Sequence, residues 1–166
     1  MTVVIAYTNS RESWMVSDSA AMTEDGSSIM VSSTPKAVKH AGNGAIGTAG
    51  SWRVINVLNS LQKRRCGGKM VVEALRNMKG EEEAVKSSEV LLVWPNRPIT
   101  IVHSDFAIIE YDRPFMAIGS GAPYALGYLE SCRRIGEAEL TKAVEIAAKY
   151  VPSVMGPVKS IHCVAK

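Results

Sequence analysis

Thr2-Val3-Val4-Ile5-Ala6-Tyr7, followed after Asn9-Ser10 by Ser13-Trp14-Met15-Val16-Ser17, is the stretch whose reading decides the fold. From Val3 to Ala6 every position is apolar, with no alternation. That is the pattern of a short strand buried on both faces. Asn9 and Ser10 supply turn chemistry, so the second run returns beside the first as a hairpin partner.

Working outward, Ser28-Ile29-Met30-Val31 and Lys36-Ala37-Val38-Lys39 read as another short pair, with Pro35 setting its edge. Gly42-Asn43-Gly44 is a tight turn into a small-residue strand over residues 45–50. The period then changes. Val54, Leu58 and Leu61 recur at helical spacing, and Gly67-Gly68 is expected to stop that helix. Met70, Val71, Ala74, Leu75 and Met78 mark a second amphipathic segment ending near Gly80, and Glu81-Glu82-Glu83 reads as an exposed loop or a helix start. Strands return at 90–94, 99–102, 107–109 and 115–118. Gly119-Ser120-Gly121 then leads into a helix carrying Ala125, Leu126, Leu129 and Cys132. A further helix has Leu140, Val144, Ala147 and Val151 on one face, Pro152 and Pro157 follow it, and 158–164 closes as a strand. The order is strands, two helices, strands, two helices, strand. Parallel α/β chains alternate instead, so this is an α+β pattern, and two face-to-face sheets with a helix layer outside each accommodate it. One domain over residues 1–166 is expected from the length, with no repeat or linker.

Composition narrows the function classes. Nineteen basic residues against sixteen acidic give a net charge of +3, and aromatics are 6% of the chain. The dense basic stretch Lys63-Arg64-Arg65, with Lys69 nearby, reads as a solvated helix end, and nucleic acid is not an expected partner. No window has the unbroken apolar length of a membrane span, and no secretory signal is read, so the cytoplasm is the expected location. Cys66, Cys132 and Cys163 are odd in number and widely separated, and His40, His103 and His162 are scattered. Neither a disulfide framework, a metal site nor a cofactor is expected from that spacing.

A series of local patterns, in order, resembles the proteasome β-subunit and HslV peptidase family over most of the chain. Thr2-Val3-Val4-Ile5-Ala6 is similar to the family's threonine leading into a strand. Trp14-Met15-Val16-Ser17-Asp18-Ser19 is similar to its apolar strand ending in Asp. Lys36-Ala37-Val38, then Ile46-Gly47-Thr48-Ala49-Gly50-Ser51, resembles its Lys strand and its Ala-Gly turn into the first helix. Residues 117–125, Ala-Ile-Gly-Ser-Gly-Ala-Pro-Tyr-Ala, resemble the HslV form of its Gly-Ser-Gly loop. The resemblance implies a four-layer αββα sandwich of the N-terminal-nucleophile hydrolase type, self-assembled into stacked rings. It also implies a hexameric ATP-dependent unfoldase as partner and a peptide or unfolded protein as substrate. Residue by residue it implies Thr2 as nucleophile, Asp18 and Lys36 as the charged pair beside it, and Ser120 near the terminal amine. Gly50 becomes the oxyanion-hole donor, and Thr48 and Ala49 line the substrate pocket.

The chemistry is self-consistent. A threonine hydroxyl is a weak nucleophile until its proton is removed. An N-terminal residue carries its own base, since a free α-amine has a reference pKa of about 7.7–8.0. With that amine as base a threonine peptidase needs no histidine, and Thr2 is small enough for Met1 to be removed ahead of it without a dedicated propeptide. A charged Lys36 favours the alkoxide, and Asp18 holds Lys36 charged and oriented. One oxyanion-hole donor is worth roughly 3–4 kcal/mol.

The stretch 150–157, Tyr-Val-Pro-Ser-Val-Met-Gly-Pro, departs from the family pattern. There the segment after the last long helix supplies an Asp and a Ser, or a distinct polar loop. This chain has no carboxylate in that stretch and offers Ser153. Two other readings stay open on that ground. One is a non-catalytic ring or scaffold subunit, and the other is an N-terminal-nucleophile amidase acting on a small amide.

Overall fold

The opening apolar run forms strand β1 (Val4–Thr8), which pairs antiparallel with β2 (Glu12–Ser17) on one side. The structure, a computed structural model, describes residues 2–23 and 27–165. Val3, Val4, Ile5 and Ala6 are all fully buried, as their unbroken hydrophobicity requires. Their side chains divide between two cores, because successive residues of a strand point to opposite faces. Val3 and Ile5 enter one cluster, Val4 and Ala6 another.

The first sheet is completed by β10 (Phe115–Ile118) against β1 and β11 (Lys159–Val164) against β2, in the order β10-β1-β2-β11. Its outer face packs on α4 (Ala122–Ser131) and α5 (Glu137–Tyr150) through Ala125, Leu129, Leu140, Val144 and Ala147. The second sheet runs β5 (Ala37–His40), β6 (Gly44–Ala49), β7 (Glu89–Val93), β8 (Ile99–Val102) and β9 (Ile108–Tyr111), each antiparallel to the next. Its outer face packs on α1 (Trp52–Asn59) and α2 (Gly68–Arg76) through Val54, Leu58, Val71 and Leu75, with α3 (Glu82–Lys86) contributing Val85. Between the sheets lies a third core of Val4, Met15, Ala45, Ala49, Leu91, Val93, Ile99 and Ile101. The small side chains of β6 let Met15 of the facing sheet come close. Helix, sheet, sheet, helix is thus the order of layers, as expected.

The structure corrects several expectations. Residues 29–31 form β4, but it pairs with β3 (Ala20–Met22) in a separate two-stranded sheet, not with β5. β5 pairs instead with β6, because Gly42-Asn43 turns the chain straight back, with both residues at positive φ. Gly67-Gly68 does not stop the first helix. That helix tightens into a 3₁₀ turn over Ser60–Lys63 and ends there, and Gly67 is the N-cap of α2. The acidic run opens α3, so three helices, not two, lie between β6 and β7. Acidic Glu82 and Glu83 in its first turn match the positive end of a helix dipole. Among the described residues, no helix is long and apolar enough to cross a membrane.

Candidate active site

Thr2 precedes β1, Asp18 follows β2 and Lys36 precedes β5, so three strand ends bring them together. All three are buried. The Thr2 hydroxyl donates to Asp18 Oδ1 and accepts from Lys36 Nζ. Lys36 Nζ also donates to both Asp18 oxygens at 2.9 Å. Asp18 is fixed in turn by backbone donors, Val3 N–H to Oδ1 and Ala20 N–H to Oδ2, each at 3.0 Å. A carboxylate so saturated with donors is held in position. Burial pushes the Lys36 pKa below its ordinary value, and the charge of Asp18 and the hydrogen bond to it oppose that shift. A lysine easier to deprotonate than usual therefore touches the hydroxyl oxygen.

Ser120 lies on the turn after β10. Its Oγ accepts from the Thr2 backbone nitrogen at 3.3 Å, and the Gly121 N–H reaches the Thr2 carbonyl at 3.0 Å. Gly119, at φ +90, makes this close approach feasible, since a Cβ there would stand 2.4 Å from the Thr2 carbonyl oxygen.

Gly50 follows β6 at φ +125, two residues before α1 begins. A Cβ there would lie 2.4 Å from the Ser87 carbonyl and from Ser88 Oγ, so glycine is required by both backbone and space. The next residue, Ser51, caps α1 and gives its own N–H to Ser88 Oγ at 3.0 Å. Trp52, the first residue of α1, places its ring centre 5.9 Å from Lys36 Nζ. Thr48 is buried and its N–H bonds the Lys36 carbonyl at 2.9 Å. Ala49 packs into the core between the sheets, opposite Glu89 of β7.

Sequence reading missed Trp52 and Ser88. Trp52 was visible as the first residue after the Ala-Gly-Ser turn, but nothing in the sequence marks Ser88 as the acceptor that locks that turn. The 150–157 stretch docks on the residue after Asp18. Ser19 N–H bonds Met155 O at 3.0 Å and Ser19 Oγ bonds Pro157 O at 2.6 Å. Ser153 is buried there with its hydroxyl unpartnered among the described residues. Met1 lies outside the described residues. Among the described residues no group of three or more His, Cys, Asp or Glu gathers as a metal site would need.

No protein-family model matches this sequence, and no curated protein matches it. Solved structures do. BPH from Thiobacillus denitrificans, in complex with epoxomicin, superposes with a TM-score of 0.77 at 19% identity, over 100% of both chains. Eukaryotic HslV from Trypanosoma brucei gives 0.73 at 14% identity, over 98% of this chain and 99% of the other. Anbu from Yersinia bercovieri gives 0.76 at 14% identity, over 98% of this chain and 81% of the other. The layer order, the sheet topology and these superpositions together give the chain the αββα fold of N-terminal-nucleophile hydrolases of the HslV, Anbu and proteasome β-subunit type.

Proposed function

We propose that this chain is a threonine-type endopeptidase subunit of a self-compartmentalising ring protease, with Thr2 as nucleophile and its freed α-amine as general base once Met1 is removed. The observation that carries this reading is the contact of the Thr2 hydroxyl with both Lys36 and Asp18 in a buried, fully satisfied cluster. The α-amine takes the hydroxyl proton, directly or through one water. The oxygen attacks the substrate's carbonyl carbon, and the Lys36 charge stabilises it as it loses its proton. The Gly50 N–H and the positive end of α1 face the oxyanion that forms. The amine passes its proton to the leaving nitrogen, the C–N bond breaks and an ester to Thr2 remains. Water, deprotonated by the same amine, then releases the acid and restores the hydroxyl. Ser120 orients the amine, and Thr48 with the Ala49 backbone borders the side chain ahead of the cut bond.

Assembly into stacked rings, an ATP-driven unfoldase partner and unfolded protein as substrate belong to the same proposal. The resemblance to the HslV and proteasome β-subunit family, with superposition on BPH and HslV over nearly the whole chain, supports them. The second reading, a ring subunit without activity, is favoured by one feature. Residues 150–157 contain no carboxylate and leave the Ser153 hydroxyl without a partner among the described residues.

Intact mass before and after incubation with epoxomicin separates the two, the choice of probe following from the BPH complex. Loss of Met1 with a one-to-one adduct that Thr2→Ala abolishes supports the peptidase. A retained Met1 with no adduct sinks it and leaves the scaffold reading.

A further inference from the structure

Lys36 and His40 stand at opposite ends of β5, about 13 Å apart at roughly 3.3 Å per residue. At the His40 end, away from Thr2, a cavity of about 1100 Å³ opens between β5, the β7–β8 connection and the start of α2. The active site proposed above does not use it.

Its lining is strongly unbalanced in charge. Arg65, Lys69 and Arg97 contribute three cationic groups, and Glu110 is the carboxylate among the lining residues. Gly67 and Gly68 also line it, and they are the N-cap and first residue of α2. The first N–H groups of a helix have no partner inside it, and Gly67 has no side chain to cap them. Free N–H groups and a positive dipole end meeting three cations make an anion site. Trp94 lines the same cavity, with the Arg97 guanidinium 6.0 Å from its ring centre.

The balance of charge narrows the anion. Three cations against one carboxylate leave the lining about two positive charges in excess. A phosphate group, carrying about −1.5 to −2 charges at neutral pH and three strong acceptor oxygens, matches that excess better than a single carboxylate does.

We infer that this cavity binds a phosphorylated small molecule, its phosphate held by Arg65, Lys69 and the α2 N-terminus, with Arg97 and Trp94 closing over the rest. The cavity exceeds what a lone phosphate fills, which suits a ligand of nucleotide size. The inference is independent of whether Thr2 is active.

The test is calorimetric titration of the whole protein with sodium pyrophosphate and with ATP at fixed ionic strength. Intrinsic tryptophan fluorescence provides a second readout. Saturable one-to-one binding is expected, weakened at least about tenfold by Arg65→Ala/Lys69→Ala and by Arg97→Ala. All three positions are exposed, so the fold stays intact. Lys149→Ala, on α5 at the other face, is expected to bind as the parent does. Equal affinities assign the phosphates alone, and tighter binding of ATP adds a ring against Trp94. Absence of saturation below about 10 mM, or equal losses in the Lys149 control, overturns the inference.

Discussion

Lys36 Nζ lies 2.9 Å from each carboxylate oxygen of Asp18, and neither side chain is more than 3% exposed. The two partners are not equivalent. Asp18 also satisfies the Val3 and Ala20 N–H groups and the Thr2 hydroxyl, whereas the Lys36 ammonium hydrogen-bonds Asp18 and Thr2 alone among the described residues. Asp18→Ala therefore strands a buried cation and two buried backbone donors, a loss of about 3–5 kcal/mol. Lys36→Met leaves the carboxylate with its backbone donors and is expected to cost less. Urea denaturation of both variants checks the order, and a larger loss for Lys36→Met would contradict it.

The nucleophile assignment has a sharper test in side-chain chemistry. Thr2→Ser keeps a hydroxyl between Lys36 and Asp18, while Thr2→Ala removes it. Peptide hydrolysis is expected to persist in the serine variant and to fall by at least about 10³-fold in the alanine variant, with oligomeric state unchanged in both. Undiminished turnover by Thr2→Ala would remove Thr2 from the mechanism. Lys36→Ala is expected to approach the alanine variant, since the hydroxyl oxygen loses its adjacent positive charge.

Much of this arrangement was legible in the chain. Hydrophobicity without alternation announced β1, and β8 and β10 fall where their apolar runs lie. Thr2, Asp18, Lys36 and Ser120 were named from local resemblance, and strand ends do bring them into contact. The β3–β4 pair was not legible, for a physical reason. Ala20-Ala21-Met22 has weak strand propensity, and its partner residues Ile29, Met30 and Val31 are all exposed, so no buried apolar face marks the pairing from the β4 side. Gly67-Gly68 was misread because glycine serves at either end of a helix. The cavity at His40 was invisible because its residues come from stretches far apart in sequence, and Lys63-Arg64-Arg65 read simply as a solvated end.

Gly50 carries a prediction of its own. Gly50→Ala sets a Cβ against the Ser87 carbonyl and Ser88 in a backbone region costing a non-glycine residue about 1–3 kcal/mol. The Ser51–Ser88 lock and the Gly50 N–H shift together, so hydrolysis per folded molecule is expected to drop about 10²–10³-fold. Ser88→Ala isolates the lock from the strain, and a smaller loss of activity is expected for it. Full activity in folded Gly50→Ala would exclude its N–H from the oxyanion hole.

His40 makes stability depend on pH in a predictable direction. Burial lowers its pKa below 6.5, with the hydrogen bond to Ala41 working the other way. The folded pKa thus lies beneath the unfolded one, and on acidification the unfolded chain takes up this proton first. Stability rises with pH wherever the unfolded state holds more protons, so the His40 contribution is full above 6.5 and is lost as pH falls toward the folded pKa. Urea midpoints taken on either side of pH 6.5 for the parent and for His40→Gln isolate the effect. Glutamine retains a donor for the Ala41 carbonyl but does not titrate. The variant is expected to lose less stability than the parent between the two conditions, and identical losses would show that His40 titrates alike in both states.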